Sequence, residues 1–194
     1  MNTYRKMRRK KFVVGVSITL ILIMTYTGAY IHALAYLRKP VIKYYTSEDW
    51  VEYGGVEYQI SAKMYKRDDF IKEFNLEEYE SIIKKDNVYI VVDKKAKRVA
   101  ESTGYEHDEL YFIITSKYWS VSVEPDIKEM IQKENYIPES ELKVGEKTSG
   151  YRVYSIDKNN LPKKLWDKVW DTTAYYEMED YYGSEYIRRI RVLN

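Results

Sequence analysis

The sequence predicts a mainly β domain, a sandwich or barrel with short helical insertions, preceded by one N-terminal transmembrane helix. Three observations carry that expectation: an uncharged run behind a basic head, residue alternation of period two from Val56, and several short β-rich stretches separated by turn residues. At 194 residues without a single Cys, the chain suits one domain and an anchor. Disulfides, thiol catalysis, cysteine-ligated zinc and a lipid-modified cysteine have no residue to work with.

The basic head comprises Arg5, Lys6, Arg8, Arg9, Lys10 and Lys11, and the first acid is Glu48. Those six leave 26 of the 32 basic residues to face 30 acidic ones, so the remainder is net acidic and unsuited to nucleic acid. Phe12 to Leu37 contains no Asp, Glu, Lys or Arg. As a helix rising ~1.5 Å per residue it outreaches a hydrocarbon layer of about 30 Å. The expected organisation is a cytoplasmic head at 1–11, a transmembrane helix or uncleaved signal anchor at 12–37, and an extracytoplasmic domain at 38–194. Ala33-Leu34-Ala35 leaves a cleaved signal peptide open as the alternative, which exports the same domain.

Within that domain, Trp50 to Tyr53 ends at Gly54-Gly55, a pair that tolerates positive φ and suits a tight hairpin. Val56, Tyr58, Ile60, Ala62 and Met64 then alternate with polar residues, as a half-buried strand does. Further strands are expected at Val88 to Val92, bounded by an Asp93-Lys94-Lys95 turn, and within Leu110 to Val123. Thr148 to Ile156, Thr173 to Met178 and Glu185 to Leu193 complete the set. Asn75 followed by Glu78 predicts a capped helix start with Leu76, Tyr79 and Ile83 on one face. Asp126 to Lys133 and Pro162 to Trp170 predict two more helices. Trp166 and Trp170 read as core, with a ligand platform as the alternative.

Little in the sequence points to chemistry. The only histidines are His32, inside the uncharged run, and His107, among Glu106, Asp108 and Glu109 in a stretch that reads as a solvated turn or a weak cation site. Asp157-Lys158-Asn159-Asn160 reads as a turn. No phosphate-binding glycine loop, nucleophile elbow or zinc-protease motif is present, so no catalytic residue, metal ligand or cofactor is assigned. Tyr175, Tyr176, Tyr181, Tyr182 and Tyr186 form the candidate binding face, because a tyrosine pairs apolar area with a hydrogen-bonding tip. Strand preference alone is the competing reason for them.

From Leu142 through Gly145-Glu146, Gly150 and the strand ending at Ile156, the chain resembles exported bacterial domains of the telokin-like, immunoglobulin-fold type. The stretches Gly54 to Ile60 and Val88 to Val92 resemble their counterparts in such domains. The resemblance implies an immunoglobulin-like β-sandwich displayed in the envelope of a Gram-positive-like bacterium, with no catalytic residues. Independently of it, Gly145 suits a left-handed turn. Tyr151, Val153 and Ser155 should share one face of the following strand, opposite Arg152 and Tyr154. Tyr151 is the candidate to brace that corner through its hydroxyl, with ordinary strand packing as the other role.

The expected partners are the lipid bilayer and an envelope protein or glycan. A binding domain without chemistry is the leading expectation. A secreted domain, an accessory or immunity-type subunit of a transporter, and an enzyme acting on cell-wall glycan through converging carboxylates are the alternatives.

Overall fold

The computed structural model describes residues 16, 17, 19–30, 41–101, 113–121, 123–179 and 186–193. The chain forms two compact units, Met1–Pro40 and Val41–Asn194. In the first, the described residues from 16 to 30 are helical. Among the described residues, no helix is long and apolar enough to cross a membrane. The expected span at 12–37 extends beyond them on both sides, and His32 and His107 lie outside them.

The second unit is built on two sheets. One runs β1 (Val41–Thr46), β9 (Tyr186–Leu193), β8 (Ala174–Glu179), β5 (Ile113–Ser116) and β6 (Ser120–Val121) in spatial order. The other runs β2 (Val51–Tyr53), β3 (Val56–Lys66), β4 (Asn87–Arg98) and β7 (Lys147–Asp157). All pairs are antiparallel except β1 with β9, which is parallel. The sheets share one apolar core, to which Ile60, Ile90 and Tyr154 contribute from one side and Ile114, Tyr176 and Ile190 from the other.

The β2–β3 hairpin forms as expected. Gly54 and Gly55 both take positive φ, at 60° and 78°, which a two-residue turn requires and a side chain would oppose. Gly145 likewise turns at φ 92°.

A second apolar cluster lies on the outer face of β3, β4 and β7, covered by α1 (Arg67–Phe74) and α2 (Pro125–Ile131). Phe70 stacks on Tyr89 with ring centroids 4.7 Å apart, and Ile127 and Ile131 close the same layer. Each fully buried side chain of this size contributes about 1.5–3 kcal/mol. This cover explains the uninterrupted apolar run Val88 to Val92, because a strand buried on both faces has no need to alternate.

Three expectations are corrected. Asp93-Lys94-Lys95 is no turn but the middle of β4, which continues to Arg98 because Lys94 is received inside the fold. Asn75 does not start a helix; it ends α1 in the left-handed conformation at φ 53°, and Leu76 N–H donates to Ile71 O at 2.9 Å. Asp68 and Asp69 stand in the first turn, where carboxylates suit the helix dipole. The helix expected from Pro162 to Trp170 is only the single turn α3 (Lys163–Trp166), and Trp170 beyond it is 39% exposed rather than core. β1, which no expectation covered, has side chains that are almost all exposed; parallel pairing to β9 holds it, with Tyr45 packed against the core.

Candidate functional site

The end of the second unit where β4 begins and β7 finishes carries two open clefts on either side of one turn. Asp157 sets that turn: its Oδ1 accepts from Asn159 N–H at 2.8 Å and shapes the 3-10 turn Lys158–Asn160. Pro162 then opens α3, with Trp166 N–H donating to Pro162 O at 3.0 Å. Val169 is completely buried and anchors the segment, leaving Trp166 half-buried and Trp170 exposed.

The first cleft, of about 270 Å³, is lined by Trp166, Trp170, Lys66, Lys85, Asp86 and Lys158, with Asn87 and Val88 among its other walls. Asp86 and Lys158 face each other at 3.7 Å, both well solvated. Lys66 and Lys85 are exposed and form no ion pair among the described residues. Arg67, at the cleft wall, is held by carbonyls: its Nε donates to Ile83 O at 2.9 Å and Nη2 to Glu80 O at 2.7 Å. Asp68 also lines the cleft, 3.2 Å from Arg67, so the indole surface is rimmed by four cations and two carboxylates, with Lys66 and Lys85 the cations outside those two ion pairs.

The second cleft, of about 330 Å³, is lined by Trp119, Glu124, Ser155, Asp157, Lys84 and Asn160 among others. Two carboxylates meet there, but each is engaged. Ser155 Oγ donates to Glu124 Oε1 at 2.6 Å and receives Asn87 Nδ2 at 3.2 Å, while Asp157 Oδ2 lies 3.6 Å from Lys84 Nζ. No imidazole stands among the described residues to activate the Ser155 hydroxyl. Among the described residues there is also no group of three or more His, Asp or Glu side chains arranged to hold a metal.

At the other end of β4 the same residue types are buried. Lys94, Arg98 and Arg152 point between the sheets, and all are at most 3% exposed. Glu139, from the 3-10 turn Glu139–Glu141, gathers them: its carboxylate pairs with Lys94 Nζ and lies 3.7 Å from Arg152 Nη2, and its carbonyl accepts from Arg98 Nη2. Tyr136 bridges the group, accepting from Arg152 Nη2 at 2.6 Å and donating to Glu139 Oε2 at 3.1 Å. Burial pushes the Tyr58 phenol above its ordinary range, with the Glu139 carboxylate adding to the shift. Burial does the same to Tyr176, beside Tyr154.

The segment holding Tyr136 also shields the open edge of β7. Gln132 Oε1 accepts from Tyr151 N–H at 2.9 Å, and Thr148 Oγ1 accepts from Ile137 N–H at 2.9 Å. Gly150 admits this crossing, since a Cβ there would lie 2.5 Å from the Tyr136 ring.

Of the tyrosines singled out from sequence, the two whose side chains are described, Tyr175 and Tyr176, do not share a surface. Tyr176 is fully buried in the core, whereas Tyr175 is half-buried on the opposite face, its ring edge-on to Tyr44 at 5.6 Å. Alternation along β8 separates them. Tyr181 and Tyr182 lie outside the described residues, as does the side chain of Tyr186. Tyr151 and Val153 do face the outer cluster while Arg152 and Tyr154 face inward. The Tyr151 ring packs edge-on against Phe74 at 5.6 Å, beneath Lys133 Nζ, which is ordinary strand packing.

Sequence reasoning passed over Lys66, Lys85 and Asp86 altogether. The one local signal for the first cleft was two Trp four residues apart after Pro162, interleaved with Lys163, Lys164 and Lys168. No family model, curated protein or solved structure matches this chain.

Proposed function

We propose that the chain is a single-pass membrane protein that displays an immunoglobulin-like β-sandwich in a bacterial cell envelope, where it binds a partner and performs no chemistry. One observation carries the anchor. Leu20, Ile21, Leu22, Ile23 and Met24 are consecutive helical residues, each more than half exposed, so apolar surface faces outward all around the helix. Water disfavours such a surface and lipid accepts it. Two threonine hydroxyls on this helix donate to the backbone, Thr25 Oγ1 to Ile21 O at 2.6 Å and Thr27 Oγ1 to Ile23 O at 2.7 Å, an arrangement compatible with a medium without hydrogen-bond partners. The six cations that precede it favour a cytoplasmic N-terminus.

Strand order supports the immunoglobulin-like reading. β4 pairs with β7 in one sheet, β5, β8 and β9 lie in the other, and the connections β4 to β5 and β7 to β8 both change sheets. The resemblance from Leu142 to Ile156 points the same way. Protease treatment of intact cells carrying a tag at each end tests the display: the C-terminal tag should be lost and the N-terminal tag kept. Retention of both tags, or loss of the N-terminal one alone, overturns it.

A further inference from the structure

The four tryptophans of the chain have different fates. Trp119 is buried, Trp50 stands exposed beside β2, and Trp166 and Trp170 line one cleft together. An indole left 39% exposed forfeits burial that a core position would supply, and in the cleft it lines with Trp166 and Val88 the cations Lys66, Arg67, Lys85 and Lys158 outnumber the carboxylates Asp68 and Asp86. Around it stand Lys66, Lys85 and Lys158 as donors, and Asp68, Asp86 and Asn87 as polar groups able to accept hydrogen bonds.

From this arrangement we infer that the Trp166–Trp170 cleft binds an acidic sugar, a pyranoside bearing a carboxylate. The axial C–H faces of a pyranose ring are apolar and fit against an indole, while its ring of hydroxyls needs donors and acceptors at the margin. Lys66 and Lys85, without ion pairs among the described residues, supply charge for an anionic substituent. A purely acidic peptide would use the cations and leave the indoles idle. A neutral sugar would use the indoles and leave the cations idle. Only the combination occupies both. At about 270 Å³ the cleft suits one or two sugar units rather than a long chain.

The inference deepens the reading of an envelope-displayed binding domain, and rests on it only for where the ligand is met. Its test therefore uses the full chain in detergent micelles, where binding does not depend on topology in the cell. Tryptophan fluorescence is titrated with N-acetylglucosaminyl-N-acetylmuramic acid, with neutral chitobiose and with a hexaglutamate peptide. The acidic disaccharide should bind saturably and several-fold more tightly than chitobiose. Trp170→Ala should weaken it about tenfold or more, and Lys85→Glu several-fold. Trp50→Ala, a change of equal size at an exposed position elsewhere, should leave it unchanged, and thermal melting of Trp170→Ala should match the parent because that ring is not core. Absence of saturable binding, binding indifferent to Trp170→Ala, or tighter binding of hexaglutamate than of either sugar would overturn the inference. A failed protease test beside successful sugar binding would relocate the domain and leave this site standing.

Discussion

Where β4 runs out, Lys94, Arg98 and Arg152 lie between the two sheets around Glu139. Where β4 begins, Lys66, Lys85 and Lys158 stand in solvent beside two indoles. Both ends collect cations and aromatic rings, and they use them in opposite ways. A cation withdrawn from water loses its hydration and survives only with fixed partners, which Glu139 and Tyr136 supply. A cation at an open rim keeps its water until a ligand replaces it. The difference teaches that charge type alone does not mark a binding site in this domain; solvent access does.

Four measurements would break or sharpen that contrast. The largest effect is expected at high pH. Burial holds Tyr58 and Tyr176 well above the ordinary phenol range and pushes Tyr89 up to about 12. A phenol whose folded pKa is raised contributes stability that is complete below the unfolded pKa of about 10 and is lost as pH climbs toward the folded values. Urea midpoints should therefore hold steady to about pH 10 and then collapse, and a midpoint unchanged at pH 12 would contradict the buried phenols. Replacing Tyr89 by Phe should reduce the pH-dependent part of that loss while costing some stability at neutral pH.

Next in size is Glu139→Gln. It leaves Lys94 and Arg152 buried without their carboxylate, and should cost about 3–5 kcal/mol in chemical denaturation. A cost below about 1 kcal/mol would show that the buried end does not depend on this carboxylate. Gly150→Ala should cost about 1–3 kcal/mol, because the new methyl forces the Tyr136 ring off the strand and loosens its hold on Arg152. The smallest effect belongs to the open end: Trp170→Ala should change stability by less than about 0.5 kcal/mol, as exposed positions do. A larger loss there would move Trp170 into the structural category and erase the contrast between the two ends.

Much of the β framework was legible because it is written locally. Gly54-Gly55 declared a hairpin, and the faces of β7 followed from alternation, with Tyr151 and Val153 opposite Arg152 and Tyr154. The errors fall where a distant segment overrules a local signal. Asp93-Lys94-Lys95 has the composition of a turn, yet the partner that lets Lys94 stay in a buried strand is Glu139, brought from beyond β5 and β6. Asn75 and Glu78 look like a helix start, yet the carbonyl of Ile71 claims the backbone at the end of the preceding helix instead. The candidate cleft was nearly invisible, since its lysines come from the end of β3, the approach to β4 and the turn after β7.

The order of residues by itself determined the apolar segment behind a basic head, the strand-rich character of the remainder, the tight glycine turn and the lack of any cysteine chemistry. These depend on composition and on short-range backbone preference, which travel with the chain wherever it goes. Tertiary structure alone decided which strand faces are covered, which lysines enter the core and which tryptophan is left in the open. Periodicity states only which side of a strand a residue occupies; whether that side meets water, a helix or a carboxylate depends on segments far along the chain, as Arg98 and Glu139 are, 41 residues apart.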